Sequence, residues 1–385
     1  MIVIVAPYSP PSRYKDSHLG ASRKLETIVS VLSKLDSKLV LINSGHGRVD
    51  VAPLSVSNAK IAGVELIEII PSTSSNRQIG KFKNILCINS VLNEVEKIGK
   101  PTAFWFYNGY SFEMALALKS RKKYNVPMIL EFEDWHFSRS RGLNPKPYID
   151  YLLWRLAARL MSGSFVVNSF LKSIMLKYSN EIHLLPGIVP SCLATIAKSS
   201  FPFTSVDRVK VGFFSGLNVE KGADIVLELA SQLPEKYEIH VTGTGKLADD
   251  FKSLAEKRPN LYYHGRVDDH ELYKIISNCD VLLNPHSSIE HMGNGVFPFK
   301  VIEAIASGRL LISTKVPSEN VEKLLSAVHF VEHTTEDFML SIINSEQIFR
   351  KNKKTIESSA LMANKLFGED ALLLKIKHII NGCNA

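Results

Sequence analysis

At 385 residues the chain is too long for one ordinary core and is sized for two domains of about 150–200 residues each. Its 45% hydrophobic and 22% charged residues exclude the disordered and fibrous classes. Cys87, Cys192, Cys279 and Cys383 are scattered without zinc-ligand spacing, which fits a reducing compartment and predicts no metal site. The formal charge of +8 is unevenly placed: residues 1–190 hold 24 Lys and Arg against 14 Asp and Glu. A basic front half suits an anionic membrane surface or a phosphorylated acceptor. Nucleic acid is not expected, because no zinc-finger or RNP-type signature accompanies the charge.

Strand and helix patterns alternate from the start. Ile2–Ala6 is a β-branched apolar run of the kind buried on both sheet faces. It is too short for a signal peptide and lacks a basic flank, and no run of about 18 apolar residues occurs, so a cytoplasmic chain without a membrane span is expected. Gly20–Leu35 carries Leu25, Ile28, Val29, Leu32 and Leu35 at helical spacing. Further strands are predicted at Lys38–Ile42, Val64–Ile70, Thr102–Phe106, Val126–Phe132, Ser164–Val167 and Ile182–Leu185. Helices are predicted between them at Asn84–Ile98, Phe112–Tyr124, Pro147–Met161 and Phe170–Tyr178. Gly187–Val206, with Pro190 and Pro202, breaks the rhythm, so residues 1–187 form a first domain and 188–207 a linker. The alternation then restarts at Val209–Phe214 and defines a second domain over 208–352, with helices predicted at Glu336–Arg350 and Thr355–Ile380.

Such alternation gives parallel sheets with right-handed crossovers, hence an α/β protein of two Rossmann-like domains facing across a cleft. Ligands in these sheets sit beyond the carboxyl ends of the strands. Three loops there carry chemistry. After Val209–Phe214 comes Ser215-Gly216-Leu217-Asn218-Val219-Glu220-Lys221-Gly222, where backbone amides, a helix start and Lys221 can meet a diphosphate. After Tyr237–Val241 comes Thr242-Gly243-Thr244-Gly245, a second glycine turn without the third glycine of a dinucleotide fingerprint. After Val281–Leu283 a long loop runs through Gly293, Asn294, Gly295 and Val296, whose amides can form an anion nest, into Phe297-Pro298-Phe299. Lys300 and Glu303 then share a helix face: the lysine can meet a phosphate and the carboxylate can accept ribose hydroxyls. The plain alternative is an ion pair capping the helix.

The stretch Pro298–Gly308 resembles the donor-site signature of retaining GT-B glycosyltransferases, particularly family 4. Gly216 with Lys221-Gly222 is similar to the family's phosphate turn, Gly243-Thr244-Gly245 to its next glycine turn, His264-Gly265-Arg266-Val267 to its nucleobase loop, and Asp280–Pro285 to its strand before the donor loop. The resemblance covers about residues 210–315 and implies a GT-B fold with C-terminal helices, residues 353–385, crossing back to the first domain. It implies Glu303 on the ribose, Lys221 and Lys300 at the diphosphate, and Arg266 and Val267 at the base. Two positions depart from the pattern. Gly295 stands where the family's first glutamate would lie, and Leu217 where an arginine is common, so Arg266 or the amides of Gly293–Val296 are candidates to compensate.

In the first domain, Pro7–Pro10 and Leu19-Gly20 resemble the family's opening loop, with Gly20 letting the backbone approach donor phosphate or sugar. Glu133-Asp134-Trp135-His136 occupies the place where the family often has an acidic residue or histidine in the cleft. Asp134 or His136 is therefore the candidate to orient the acceptor hydroxyl or accept its proton. Glu131 and Glu133 alternate with Phe132 and should point away from it. Arg139, Arg141, Arg155 and Arg159, with Trp135, Tyr148, Tyr151 and Trp154, suggest a face for an anionic bilayer. The implied activity is metal-independent transfer, with retention, from a UDP- or GDP-sugar to a carbohydrate or lipid-linked acceptor in surface polysaccharide or glycolipid synthesis, with no separate cofactor. A sugar-nucleotide epimerase and a non-catalytic nucleotide-sugar-binding protein are the competing readings.

Overall fold

Apolar runs with no polar face belong in the middle of a sheet, and β1 (Ile2–Ala6) lies there with every residue buried. The computed structural model describes residues 1–9, 19–45, 54–72, 83–138, 146–179, 181–199, 202–204, 207–287, 298–316 and 321–382. They form two units: Met1–Leu185 with Glu369–Ala385, and Pro186–Gly368.

Unit 1 follows β1 with α1 (Leu19–Ser33), β2 (Leu39–Asn43), β3 (Ser55–Ile61), β4 (Val64–Ile70), α2 (Ile88–Ile98), β5 (Ala103–Tyr107), α3 (Ser111–Tyr124), β6 (Met128–Phe132), α4 (Lys146–Ala158), β7 (Gly163–Val166), α5 (Ser169–Met175) and β8 (Ile182–Leu184). The sheet order is β3-β4-β2-β1-β5-β6-β7-β8. All its pairings are parallel except β3 with β4, a hairpin turning at Ala62-Gly63. The chain leaves β1 toward β2 on one side and later returns to β5 on the other, so the switch point of the sheet lies between β1 and β5.

Unit 2 opens with α6 (Ser191–Ser199), inside the stretch read from sequence as irregular, because Leu193 and Ile196 bury one side of it. It continues with β9 (Val209–Phe214), α7 (Ala223–Gln232), β10 (Tyr237–Thr242), α8 (Ala248–Ala255), β11 (Leu261–Tyr263), α9 (Asp269–Asn278), β12 (Val281–Asn284), α10 (Lys300–Ala306), β13 (Leu310–Ser313), α11 (Glu322–Leu325), β14 (Val328–Phe330), α12 (Thr335–Ile343) and α13 (Ser345–Phe367). Its sheet is wholly parallel in the order β11-β10-β9-β12-β13-β14, with the switch point between β9 and β12. Val211, Phe213, Val226, Leu229, Val241, Phe251 and Phe338 form the centre of its core.

The sequence reading of one helix over Thr355–Ile380 gives way to two. Gly368 is extended (φ −66°, ψ 159°), ends α13, and pairs with Val189 in a β-bridge. The chain then enters α14 (Glu369–Gly382), which belongs to unit 1, whereas residues 353–367 belong to unit 2.

Candidate functional site

The carboxyl ends of β9 and β12 flank the switch point of unit 2, and loops from four strands are joined there through their backbones. Gly243, after β10, has φ 130°, and a Cβ on it would lie 1.9 Å from the Ser215 carbonyl oxygen. Gly222 has φ 73°, and a Cβ there would lie 1.8 Å from the Pro285 carbonyl oxygen. No side chain fits at either position, so these glycines let the β10 turn close on the β9 loop and the β9 loop close on the β12 loop. The Gly243 amide donates to the Gly265 carbonyl (2.7 Å), the Leu217 amide to Thr244 (2.9 Å), and the Ser287 amide to Glu220 (3.2 Å). Gly216 and Gly245 lie within this joined set, while Arg266 and Val267 sit half-buried in the loop after β11.

Four polar side chains meet in this crevice. Lys300, at the start of α10, donates to Ser215 Oγ (3.0 Å) and stands 5.4 Å over the Phe213 ring. Lys221 lies 2.9 Å from His286 Nε2. His286 is 4% exposed, and its Nδ1 faces the Ser287 carbonyl at 2.8 Å. A proton on Nδ1 satisfies that carbonyl and leaves the Nε2 lone pair to accept from Lys221. Burial, together with the charges of Lys221 and Lys300, lowers the His286 pKa to about 4, so the ring stays neutral. Burial and the nearby charge of Lys221 lower Lys300 to about 7, and burial also lowers Lys221. Among the described residues neither lysine forms an ion pair with a carboxylate. Two partly desolvated lysine amines that pair with no carboxylate among the described residues make a site suited to a polyanion.

Glu303, one turn into α10, is half-buried, with its amide bonded to Phe299 (3.3 Å). Gly293, Asn294, Gly295 and Val296 lie outside the described residues. His286 carries no spacing signal of its own in the loop after β12, and only the tertiary contact to Lys221 shows what it does.

A second polar cluster lies at the carboxyl ends of β5 and β6 in unit 1. Lys24 of α1 pairs with Glu131 Oε1 (2.7 Å) and with Glu133. Trp105 Nε1 donates to Glu131 (3.0 Å), and the Tyr107 hydroxyl donates to Glu133 (2.5 Å). Glu131 and Glu133 thus point away from Phe132, whose ring stacks 5.4 Å from Trp154. Burial and the neighbouring Glu133 outweigh Lys24 and raise the Glu131 pKa to about 7. Although burial opposes it, the two carboxylates together raise Lys24 above its ordinary value. No sequence spacing pointed to Lys24 or Tyr107.

Asp134 is half-buried in the loop after β6. His136 begins a short 3-10 turn, with Nδ1 3.2 Å from the Asp134 carbonyl and Nε2 3.6 Å from Asp150 Oδ2. Asp150 also binds Ser111 and Lys146. Against the effect of burial, His136, Lys146 and Ser111 hold its carboxyl down to about 2. The Tyr110 ring lies 4.5 Å from the imidazole. Gly20 lies in the first turn of α1.

Among the described residues no group of three His, Cys, Asp or Glu side chains is arranged to hold a metal ion, and no helix is long and apolar enough to cross a membrane. The sequence profile of the family described as "Glycosyl transferases group 1" matches residues 208–344. No curated protein matches the sequence. Among solved structures, sucrose-phosphate synthase from Thermosynechococcus elongatus superposes with TM-score 0.66 at 11% identity, covering 98% of both chains. HepE of Anabaena in complex with UDP gives 0.63 at 11%, covering 99% of both. An α,α-trehalose-phosphate synthase (UDP-forming) from Burkholderia xenovorans gives 0.65 at 8%, covering 100% of both. With two Rossmann-like units and a C-terminal helix that belongs to unit 1, the chain has the GT-B fold.

Proposed function

We propose that the chain is a glycosyltransferase that moves a sugar from a nucleotide-sugar donor to a hydroxyl of a carbohydrate or lipid-linked saccharide. The observation that carries this reading is the pair Lys221 and Lys300 at the switch point of unit 2, two desolvated lysines held by His286 and Ser215. As the C1–O bond to the diphosphate breaks, negative charge grows on the leaving nucleoside diphosphate. Preorganised cations and amides are what stabilise such charge. Ser215, Gly216, Gly243 and Gly245 line the proposed diphosphate site, with Arg266 and Val267 at the base and Glu303 on the ribose. Gly20 supplies close backbone approach. Asp134 or His136 orients the acceptor hydroxyl and takes its proton.

A UDP-sugar is the first choice of donor and a GDP-sugar the second. Structures of the same fold with UDP bound support that order. Retention, independence of metal and a part in surface polysaccharide or glycolipid synthesis complete the proposal, with the enzyme working on the cytoplasmic side at the membrane face. A thermal-shift screen of UDP, GDP, ADP and dTDP sugars tests it. A true donor at about 100 times its Kd adds about 2.7 kcal/mol of stability. Lys300→Ala should abolish the shift, and Glu303→Ala should remove donor turnover. No shift with any of the four, or epimerised nucleotide without acceptor, would overturn the reading.

A further inference from the structure

Helix α4 presents a surface unlike that of an ordinary packed helix. Its buried side holds Asp150, Trp154, Ala157 and Ala158. Its outer side holds Tyr148 (71% exposed), Leu152 (59%), Ile149 (49%) and Leu156 (49%). At 100° per residue these four positions fall within one stripe, and Arg155 and the following Arg159, both exposed, fall on the same side. Tyr151 borders the stripe, with the Arg155 guanidinium 5.7 Å over its ring. The sole acidic residue between positions 146 and 159 is Asp150, which is fully buried against Ser111 and Lys146. Folding has therefore withdrawn the one negative charge and left an outer face of aliphatic, aromatic and arginine side chains.

We infer that α4 is a membrane-docking helix that lies in the interface of an anionic lipid bilayer. The 13-residue helix is about 20 Å long, far short of a span, so it can only lie in the plane of the surface. Leu152, Leu156 and Ile149 would enter the acyl boundary, Tyr148 and Tyr151 would sit at headgroup level, and Arg155 and Arg159 would meet lipid phosphates. The charge settles the occupant. A second copy of this face would oppose arginine to arginine, whereas an anionic surface complements it.

This inference gives the membrane contact of the proposed enzyme a definite surface, and its test is separate from that of the donor site. The full chain should co-sediment with vesicles of equal parts phosphatidylglycerol and phosphatidylcholine, weakly with phosphatidylcholine alone, and less as salt is raised. Leu152→Gln with Leu156→Gln, and Arg155→Gln with Arg159→Gln, should each lower partitioning about tenfold or more. The altered side chains are exposed, so the thermal midpoint and the nucleotide-induced shift should match those of the parent chain. In a Tyr148→Trp chain the new indole should be quenched by brominated phosphatidylcholine in the anionic vesicles. Absence of binding by the parent chain, equal binding by the variants, or a vesicle-free dimer that Leu152→Gln with Leu156→Gln dissolves would each overturn the proposal. Vesicle binding without any nucleotide shift would instead leave α4 standing and remove the donor reading.

Discussion

Lys300 carries the sharpest prediction at the level of single residues. With its pKa lowered to about 7 by burial and by Lys221, it is roughly half protonated near neutral pH in the free protein. A diphosphate favours the charged form, so binding should draw in a proton above pH 7. The apparent Kd for UDP should then rise with pH between 7 and 9, by up to about tenfold per unit. Calorimetry in buffers of different ionisation heat measures the proton uptake, and Lys300→Met should abolish it. Glu131 gives a prediction of the opposite kind. Its native pKa, raised to about 7 by burial and Glu133, exceeds the unfolded value of 4.5. The native state therefore binds more protons between these values, and stability falls as pH rises through that window. Glu131→Gln keeps an acceptor for Trp105 and removes the titration, so it should gain stability relative to the parent as pH goes from 5 to 8 in denaturant melts.

Elements are where the sequence was most and least informative. The strands of both sheet centres were legible because buried parallel strands consist of unbroken apolar runs, as in Ile2–Ala6 and Val209–Phe214. Edge strand β3 was not, since Ser55, Ser57, Asn58 and Lys60 give it no apolar face, and its partner β4 alone makes it a strand. Helix α6 hid behind Pro190 and a run of small residues. The glycine turns were readable as turns, but what they touch was not. Gly243 and Gly222 hold three loops together through contacts that only the folded chain brings within 2 Å of a would-be Cβ. Gly222→Ala and Gly243→Ala should therefore each destabilise unit 2 by roughly 2 kcal/mol or more, through backbone clash and positive φ together. Urea melts check this, and a loss of nucleotide binding without loss of stability would contradict it.

At the scale of the whole molecule, the two units are built differently along the chain. Unit 2 is one continuous segment, Pro186–Gly368, whereas unit 1 needs both ends of the chain. Its last piece, α14, packs on α1 and buries Leu372, Ile376 and Ile379. Ile379 sits against Gly163 at the start of β7, where a Cβ would lie 2.6 Å from its Cδ1 atom, and Glu369 meets Lys34 of α1 at 3.1 Å. Burying three such side chains stabilises unit 1 by on the order of 5 kcal/mol, against a typical domain stability of about 5–15 kcal/mol. A chain ending at Gly368 should thus lose or greatly weaken the unfolding transition of unit 1 and retain that of unit 2. Because every side chain of the proposed diphosphate site lies within 186–368, UDP should still raise the surviving transition. Calorimetric scans of the truncated chain with and without UDP decide the matter: loss of both transitions together would mean that the two units unfold as a single cooperative body.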